Sequence, residues 1–418
     1  MSDFHQSGPV TALPRLVARR IGDLEAQIQA HTARFPVALV IPMVPSEMDR
    51  PALSRILGEL KHVGYLDTLV VSLNKANAVD YARAAFFFNN YPGRKVILWN
   101  EAPPVVEFVR HLETAGLYTG EPGKGRACWL ALGLVLAEER TEYVAFQDAD
   151  VVNFSREMLA RLVLPAVDPT VDFDFVKGYY ARVSDRLHGR VTRLLLAPLL
   201  AAFTRLMGTD PYVRYVASFR YALSGEFAVK CDLAQRMRLA CDWGLEIVTL
   251  FEALRHRAAN RICQVELAES YDHKHQELSP GDPSRGIHRM AKDVTKHLLR
   301  TLAAAGVNLS GGLMRSVLAA YQREAEDAIA DSYAVARING LAYDRHEEET
   351  VVHVFTQALR ASIDEFLGDP LGTPLVPNWV RIWAGVPNAS VRLLQAVRKS
   401  GEGIAVVGGV ATGGKSSA

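Results

Sequence analysis

Apolar residues arrive along this chain in two alternating rhythms. Residues 14–32, PRLVARRIGDLEAQIQAHT, place them at helical spacing, whereas residues 36–44, PVALVIPMV, form an unbroken apolar run. Such a run is what a parallel strand looks like when helices cover both of its faces. The alternation repeats as a helix over 51–64, a strand over 65–73, a helix in AVDYARAAFFFNNY and a strand over 94–100. A helix over 125–140 and a strand starting at Glu142 complete it. Strands separated by helices imply βαβ units, so the expected fold class is α/β with a mainly parallel sheet. Ligands of open sheets of this kind bind beyond the carboxyl ends of the strands.

After residue 150 the pattern loosens to a strand-like stretch over 173–183 and a helix over 189–208 that carries Pro198. From 286 to 367 the chain reads as nearly all helix, followed by the Pro-rich DPLGTPLVPNW and a short helix around 391–398.

The fourth strand raises the first chemical question. In EYVAFQDADVVNF, Glu142 to Phe154, two aspartates one residue apart interrupt an apolar run. Two carboxylates so close repel each other, and burying either costs several kcal/mol without a partner. Either the strand ends at Phe146 and the acids begin a polar turn, or Asp148 and Asp150 face a divalent cation. Alternate residues of an extended strand share one side, which would aim both carboxylates at one cavity.

Composition narrows the classes. The 418 residues are 49% hydrophobic and 22% charged, ordinary for a globular protein of two or three domain-sized units. A net charge of +1 gives no sign of a nucleic-acid-binding surface or an acidic tail. The four cysteines, Cys128, Cys231, Cys241 and Cys263, contain no C-x-x-C pair and read as reduced thiols. The opening residues have neither the basic start nor the apolar core of a signal peptide, and the longest apolar run, Leu194 to Phe203, is far short of a membrane span. The expectation is a soluble, cytoplasmic protein without nucleic-acid or membrane partners. GVATGGKS, Gly409 to Ser416, matches the phosphate-loop pattern, but the sequence ends two residues later. No helix could follow to aim its N–H groups at a phosphate, so the segment reads as a Gly/Ser tail.

An Asp-x-Asp after the fourth strand, with no phosphate loop upstream, suggests a nucleotide-sugar glycosyltransferase of the GT-A fold. When a sugar leaves a diphosphate, negative charge builds on the diphosphate. Mg²⁺ or Mn²⁺ held by carboxylate oxygens would neutralise it. Lys124 sits in a Gly-Lys-Gly segment before a helix, placed to contact a donor nucleotide. Glu226 in YALSGEFAV and Glu246 in DWGLEIVTL are single acids in apolar surroundings, either site residues or salt-bridged core acids. SYDHKHQEL supplies His273 and His275, and a neutral imidazole could complete a metal shell begun by Asp150.

The order of motifs resembles the glucosyl-3-phosphoglycerate synthases, a family of retaining GT-A glycosyltransferases that also includes mannosyl-3-phosphoglycerate synthases. The resemblance covers roughly residues 36–300 and rests on GKG at 123–125 with Ala127, DAD at 148–150, GRVTRLLLAPLL at 189–200, SGEFA at 224–228, WGLEI at 243–247 and HKH at 273–275. It implies that Asp150 and His273 hold Mg²⁺ or Mn²⁺, that Asp148 lies beside them on the donor, and that Lys124 touches the nucleotide. Catalytic weight would fall on Asp148, Asp150 and Glu246, with Glu246 on the hexose hydroxyls and Trp243 against the sugar. Glu226, Pro42 and Glu47 would complete the donor site. Gly189, Arg190 and Thr192, with His275, would hold the phosphate and carboxylate of 3-phosphoglycerate. Retention in this family is thought to proceed on the leaving group's side, without a covalent enzyme nucleophile.

Two stretches depart from the family pattern. PMVPSEMD, Pro42 to Asp49, keeps only Pro42 and Glu47, and VVSLNKAN lacks the usual aspartate. Both would face base and ribose, so uridine and guanosine donors stay open. Mannosyl transfer, glycerate as acceptor, and a nucleotide-sugar-binding protein without turnover are the other readings. The division expected is an N-terminal helix and lead-in over 1–32, a GT-A domain over 33–285, a helical region over 286–400 and a flexible tail over 401–418. The apolar faces of the C-terminal helices suggest a homodimer.

Overall fold

A computed structural model describes residues 6, 8–270 and 285–402. Its described strands form a single sheet: β1 (Thr11–Leu13), β2 (Val37–Met43), β3 (Leu66–Leu73), β4 (Arg94–Trp99), β5 (Tyr143–Phe146), β6 (Phe175–Tyr180), β7 (Phe227–Lys230) and β8 (Ile262–Ala268). Their spatial order is β1-β8-β6-β7-β5-β2-β3-β4. Every pairing is parallel except those of β7, which runs antiparallel to both β5 and β6. The expected α/β class holds, with this one strand reversed.

Helices α1 (Ile21–Thr32), α2 (Pro51–Leu60), α3 (Ala78–Phe87), α4 (Pro103–Thr114), α5 (Lys124–Glu138) and α6 (Arg156–Val167) connect the strands as far as β6. Local chemistry starts several of them. Pro51 and Pro103 stand at the first helical positions, where a missing N–H costs nothing, and Asn77 and Asp80 form a reciprocal capping box at α3. α5 is buried along most of its circumference, so it runs through the interior against β2 and β3. Next come a π-helical turn (Val191–Leu196), α7 (Ala197–Met207), α8 (Pro211–Ala217), α9 (Cys231–Ala234) and α10 (Leu245–His256). The rest is α11 (Gly286–Ala304), α12 (Gly311–Ile338), α13 (Arg345–Gly368), α14 (Trp379–Gly385) and α15 (Ala389–Ser400).

The structure departs from the sequence-based expectations at three places. The helix expected from residue 14 begins at Ile21, because Thr11–Leu13 joins the sheet edge as β1, paired with β8. The strand expected to carry both aspartates ends at Phe146, and Asp148 and Asp150 lie in the turn beyond it. The helix expected over 189–208 divides into the π-helical turn and α7, and Pro198 is accommodated near the α7 start.

The C-terminal helices are not a separate layer. α11 packs on α13, α12 packs on α7, and one core cluster contains Phe146, Leu199, Leu298, Phe355 and Trp379. Their apolar faces are therefore covered mostly by the chain itself, leaving Tyr333, Val335 and Ile338 of α12 exposed. Trp379 stacks on Trp129 of α5 with ring centroids 4.8 Å apart. A side chain at Gly133, one turn along α5, would run into the Trp379 ring. Gly133→Ala is expected to cost about 1–3 kcal/mol through overpacking, seen as a lowered Tm. An unchanged Tm would show that the Trp379 contact is slack. No helix among the described residues is long and apolar enough to cross a membrane, and the four cysteines are unpaired thiols.

Candidate active site

The sheet explains how distant residues meet. Parallel strands β2, β5 and β6 end at one edge, where Met43, Phe146 and Tyr180 give way to loops. Antiparallel β7 begins at that edge, with Phe227 paired to Phe146 and to Lys177. Glu226, just before β7, therefore stands beside the Asp148 turn. Over this edge lies a cavity of about 920 Å³, lined by Pro42, Glu47, Lys124, Asp148, Asp150, Gly189, Arg190, Thr192, Trp243 and Glu246. Ten of the residues singled out in the sequence thus face one space. His273 and His275 lie outside the described residues.

Lys124 is the first residue of α5, so it projects from the N-terminal turn of a rigid buried helix. Its Nζ lies 2.7 Å from Asp148 Oδ1 and 3.5 Å from Glu246 Oε1. Burial works against this ammonium, yet the two carboxylates hold it well above its ordinary range. Gly125 allows the turn to sit this deep, since a Cβ there would strike the Ala240 carbonyl.

Glu226 is fully buried and acts behind the cavity wall. Its Oε1 accepts from Gln147 Nε2 at 3.2 Å and from the Asp148 backbone N–H at 3.4 Å, and its Oε2 accepts from the Tyr180 hydroxyl at 2.7 Å. It fixes the Asp148 turn from below, a positioning role that the sequence did not distinguish from donor contact. Gly225 is needed on the other side, because a Cβ there would lie 2.3 Å from Asp148 Oδ2. Lys177, also buried, donates to the Ser224 carbonyl at 2.6 Å and ties the segment that carries Gly225 and Glu226 to β6. Burial pulls its ammonium down to about 8.

Asp150 reports the electrostatics of the site. Burial, then the charge of Asp148, then those of Glu47 and Glu226, push its carboxyl up to about 7 against the pull of Lys124. Several carboxylates converge at this corner, and oxygen donors of that kind suit a hard divalent cation. The described residues contain no group of three metal-ligating side chains. Asp150 and Asp148 would hold part of a cation's shell, leaving positions for phosphate oxygens. Protons and cation then compete for Asp150. Mn²⁺ affinity, titrated calorimetrically in the presence of a nucleoside diphosphate, is expected to fall roughly tenfold per pH unit below about 7 and level off above it. An affinity independent of pH across that range would remove Asp150 from the cation's shell.

The far side of the cavity is the turn from Gly189 to Thr192. Gly189 has φ +70°, a left-handed conformation that suits glycine. The π-helical turn that follows widens the backbone ladder where the chain faces the cavity. Arg190 is engaged from outside: Nη2 lies 2.7 Å from Glu347 Oε1 and Nε lies 2.9 Å from Glu348 Oε1. Arg193 also reaches Glu348, at 2.7 Å. The start of α13 thus clamps the loop, a partnership across 158 residues that the sequence pattern does not reveal.

Arg182 was not singled out from sequence. It lines the cavity just past β6, its Nη1 donates to the Tyr221 hydroxyl at 3.1 Å, and its guanidinium feels the charge of Asp150. The available signal was position: an arginine two residues past the carboxyl end of a parallel strand. Asn74, just beyond β3, also lines the cavity, at the segment expected to face the base.

Among proteins of known function, the chain is 40% identical over 399 residues to the glucosyl-3-phosphoglycerate synthase of Persephonella marina, covering 96% of this chain and 99% of that one. It is 34% identical over 378 residues to the enzyme of the same name from Methanococcoides burtonii, covering 89% and 92%. Among solved structures, the Mycobacterium tuberculosis glucosyl-3-phosphoglycerate synthase in complex with Mn²⁺, uridine-diphosphate-glucose and phosphoglyceric acid superposes with a TM-score of 0.51. That match covers 72% of this chain and 90% of the other at 23% identity, and it shows a common fold. No family model matches the chain.

Proposed function

The chain belongs to the glucosyl-3-phosphoglycerate synthase family, and from that premise we propose that the cavity transfers glucose from a nucleoside-diphosphate glucose to 3-phospho-D-glycerate, retaining the anomeric configuration. The observation that carries the reading is the convergence of Asp148, Asp150, Lys124 and Glu246 with the Gly189–Thr192 turn on one space. The bond between the anomeric carbon and the β-phosphate oxygen breaks on the donor. The acceptor's hydroxyl oxygen forms the new bond to that carbon, and its proton passes to the departing diphosphate. Lys124 opposes the charge that builds on the diphosphate, and Glu246 with Trp243 holds the hexose. Pro42, Glu47 and Asn74 line the end where base and ribose fit. A divalent cation, when bound at Asp150, supplies further neutralisation of the leaving group.

The acceptor's phosphate and carboxylate fit the end lined by Arg182, Arg190 and Thr192, where two guanidiniums and a helix start offer donors. Because Glu347 and Glu348 already hold Arg190, its contact with the acceptor shares that clamp. Arg190→Ala is expected to raise the KM for 3-phosphoglycerate by about 30-fold, in keeping with the loss of a charged contact, while donor KM changes little. An unaltered acceptor KM would leave the phosphate to Arg182.

A location in the cytoplasm is part of the proposal, supported by four thiols left unpaired. So is assembly as a homodimer, supported by the exposed Tyr333, Val335 and Ile338, which sedimentation can test. The deciding experiment is a panel of UDP-glucose, GDP-glucose and GDP-mannose against 3-phosphoglycerate and glycerate, with and without Mg²⁺. Mg²⁺-dependent glucosyl transfer to 3-phosphoglycerate is expected. Preference for glycerate or for mannose would overturn the substrate assignment, and absence of any transfer would favour a binding protein.

A further inference from the structure

A second cavity, of about 1130 Å³, lies on the other side of α10. Glu246 faces the catalytic cavity, whereas Val248, Phe251, Glu252 and Arg255 line the second one. At about 100° per residue those four positions fall on the helix face opposite Glu246. One helix is thus the common wall of two cavities.

The second cavity is strongly cationic. Arg238, Arg255, Arg257, Arg300 and Arg381 line it with a single acid, Glu252. Glu252 is already used by Arg238 at 3.3 Å, and Arg257 is held by Asp174 and Asp232. Arg255 and Arg381 have no acid partner among the described residues. Arg300 carries the most pointed observation. Its side chain is only 10% exposed and its Nη2 lies 3.3 Å from Glu365 Oε1, yet its buried Nε and Nη1 find no acceptor among the described residues. Buried guanidinium donors without acceptors are costly, and a phosphate matches their planar fork. Tyr118, Tyr212 and Phe251 supply apolar walls for an organic group.

The wall also transmits. His297 of α11 lines the second cavity, and its Nε2 lies 2.8 Å from Asp242 Oδ1. Asp242 Oδ1 in turn accepts from the Gly244 backbone N–H at 2.9 Å, and its Oδ2 lies 2.9 Å from Lys296 Nζ. The His297 ring packs flush on Gly244, where a Cβ would lie 2.1 Å from the ring. Trp243 and Glu246, on either side of Gly244, line the catalytic cavity. A ligand that shifts α11 at His297 or Arg300 therefore moves the residues proposed to hold the hexose.

We propose that this second cavity binds a phosphate-bearing small molecule and that binding there changes donor-sugar affinity through His297, Asp242 and Gly244. The coupling rests on the reading of the first cavity as the donor site, and the binding does not.

The test uses the full chain with its catalytic cavity filled by Mg²⁺, UDP and 3-phosphoglycerate, a set that cannot turn over. Inorganic phosphate and phenyl phosphate are then titrated calorimetrically. One further site per chain is expected, and tighter binding of phenyl phosphate would identify an organic phosphate rather than free phosphate as its ligand. R255Q/R381Q is expected to weaken that site by about tenfold while leaving kcat and KM without added phosphate unchanged. In the parent the better probe should change the KM for the sugar donor, and H297Q should bind the probe but lose the change. No uptake by the filled parent, or equal uptake by R255Q/R381Q, would overturn the site. Uptake with an unaltered donor KM would overturn the coupling, and failure of glucosyl transfer itself would instead strike the proposed function.

Discussion

Asp150→Ala is expected to lower kcat by at least about 10³-fold while leaving the protein as stable as the parent or slightly more so. The two effects come from one cause. Burial, then the neighbouring charges of Asp148, Glu47 and Glu226, raise the Asp150 carboxyl to about 7, so removing it relieves a desolvated charge and like-charge repulsion in the fold. The same removal takes away the oxygen donor that would hold a cation against the leaving diphosphate. Opposite signs for activity and Tm mark a site whose charge arrangement serves the reaction rather than the fold. Full transfer in EDTA, or in the variant, would show that the turn after β5 serves another purpose.

Lys124→Met should fall nearly as far, by about 10²- to 10³-fold in kcat/KM. Its ammonium lies between Asp148 and Glu246, so the variant loses a cation of the proposed donor site and the ion pairs that this cation makes with two carboxylates. Lys124→Arg should rescue little, because a planar fork cannot replace a compact point charge at the head of a packed helix. A loss smaller than about tenfold in Lys124→Met would mean that the ammonium is structural, engaged with the two acids and idle toward the diphosphate.

Much of this site could be read from the chain because the residues obey local rules. β2 is an unbroken apolar run, β3 and β4 have apolar centres, and Asp148 and Asp150 follow closely where the apolar run of β5 stops. The C-terminal helices were legible from their period. β1 and β8 were not: a segment with alternating polar residues becomes a strand by pairing with β6, and the three-residue TAL joins the sheet by pairing with β8, each across a long stretch of chain. The role of Glu226 escaped for the same reason, since only the reversal of β7 brings it under Asp148. The Arg190 clamp depends on Glu347 and Glu348, which no window of sequence places beside it. Spacing reports what a segment does to its neighbours along the chain, and these contacts join segments far apart.

The tryptophan pair sets a condition on when the enzyme can first work during its own synthesis. Trp129 Nε1 donates to the Pro377 carbonyl at 2.9 Å, and Trp379 Nε1 donates to the Trp129 carbonyl at 3.0 Å. These bonds span 248 and 250 residues, so the middle of α5 stays open on one side until Pro377 and Trp379 have been made. The first turn of that helix carries Lys124. A ribosome-bound chain that already displays the whole sheet edge therefore lacks the buttress for its central cation, and contacts of such separation close slowly. The support for Lys124 therefore comes from residues made long after α5 itself, so the order of synthesis bears on when that helix is fully packed.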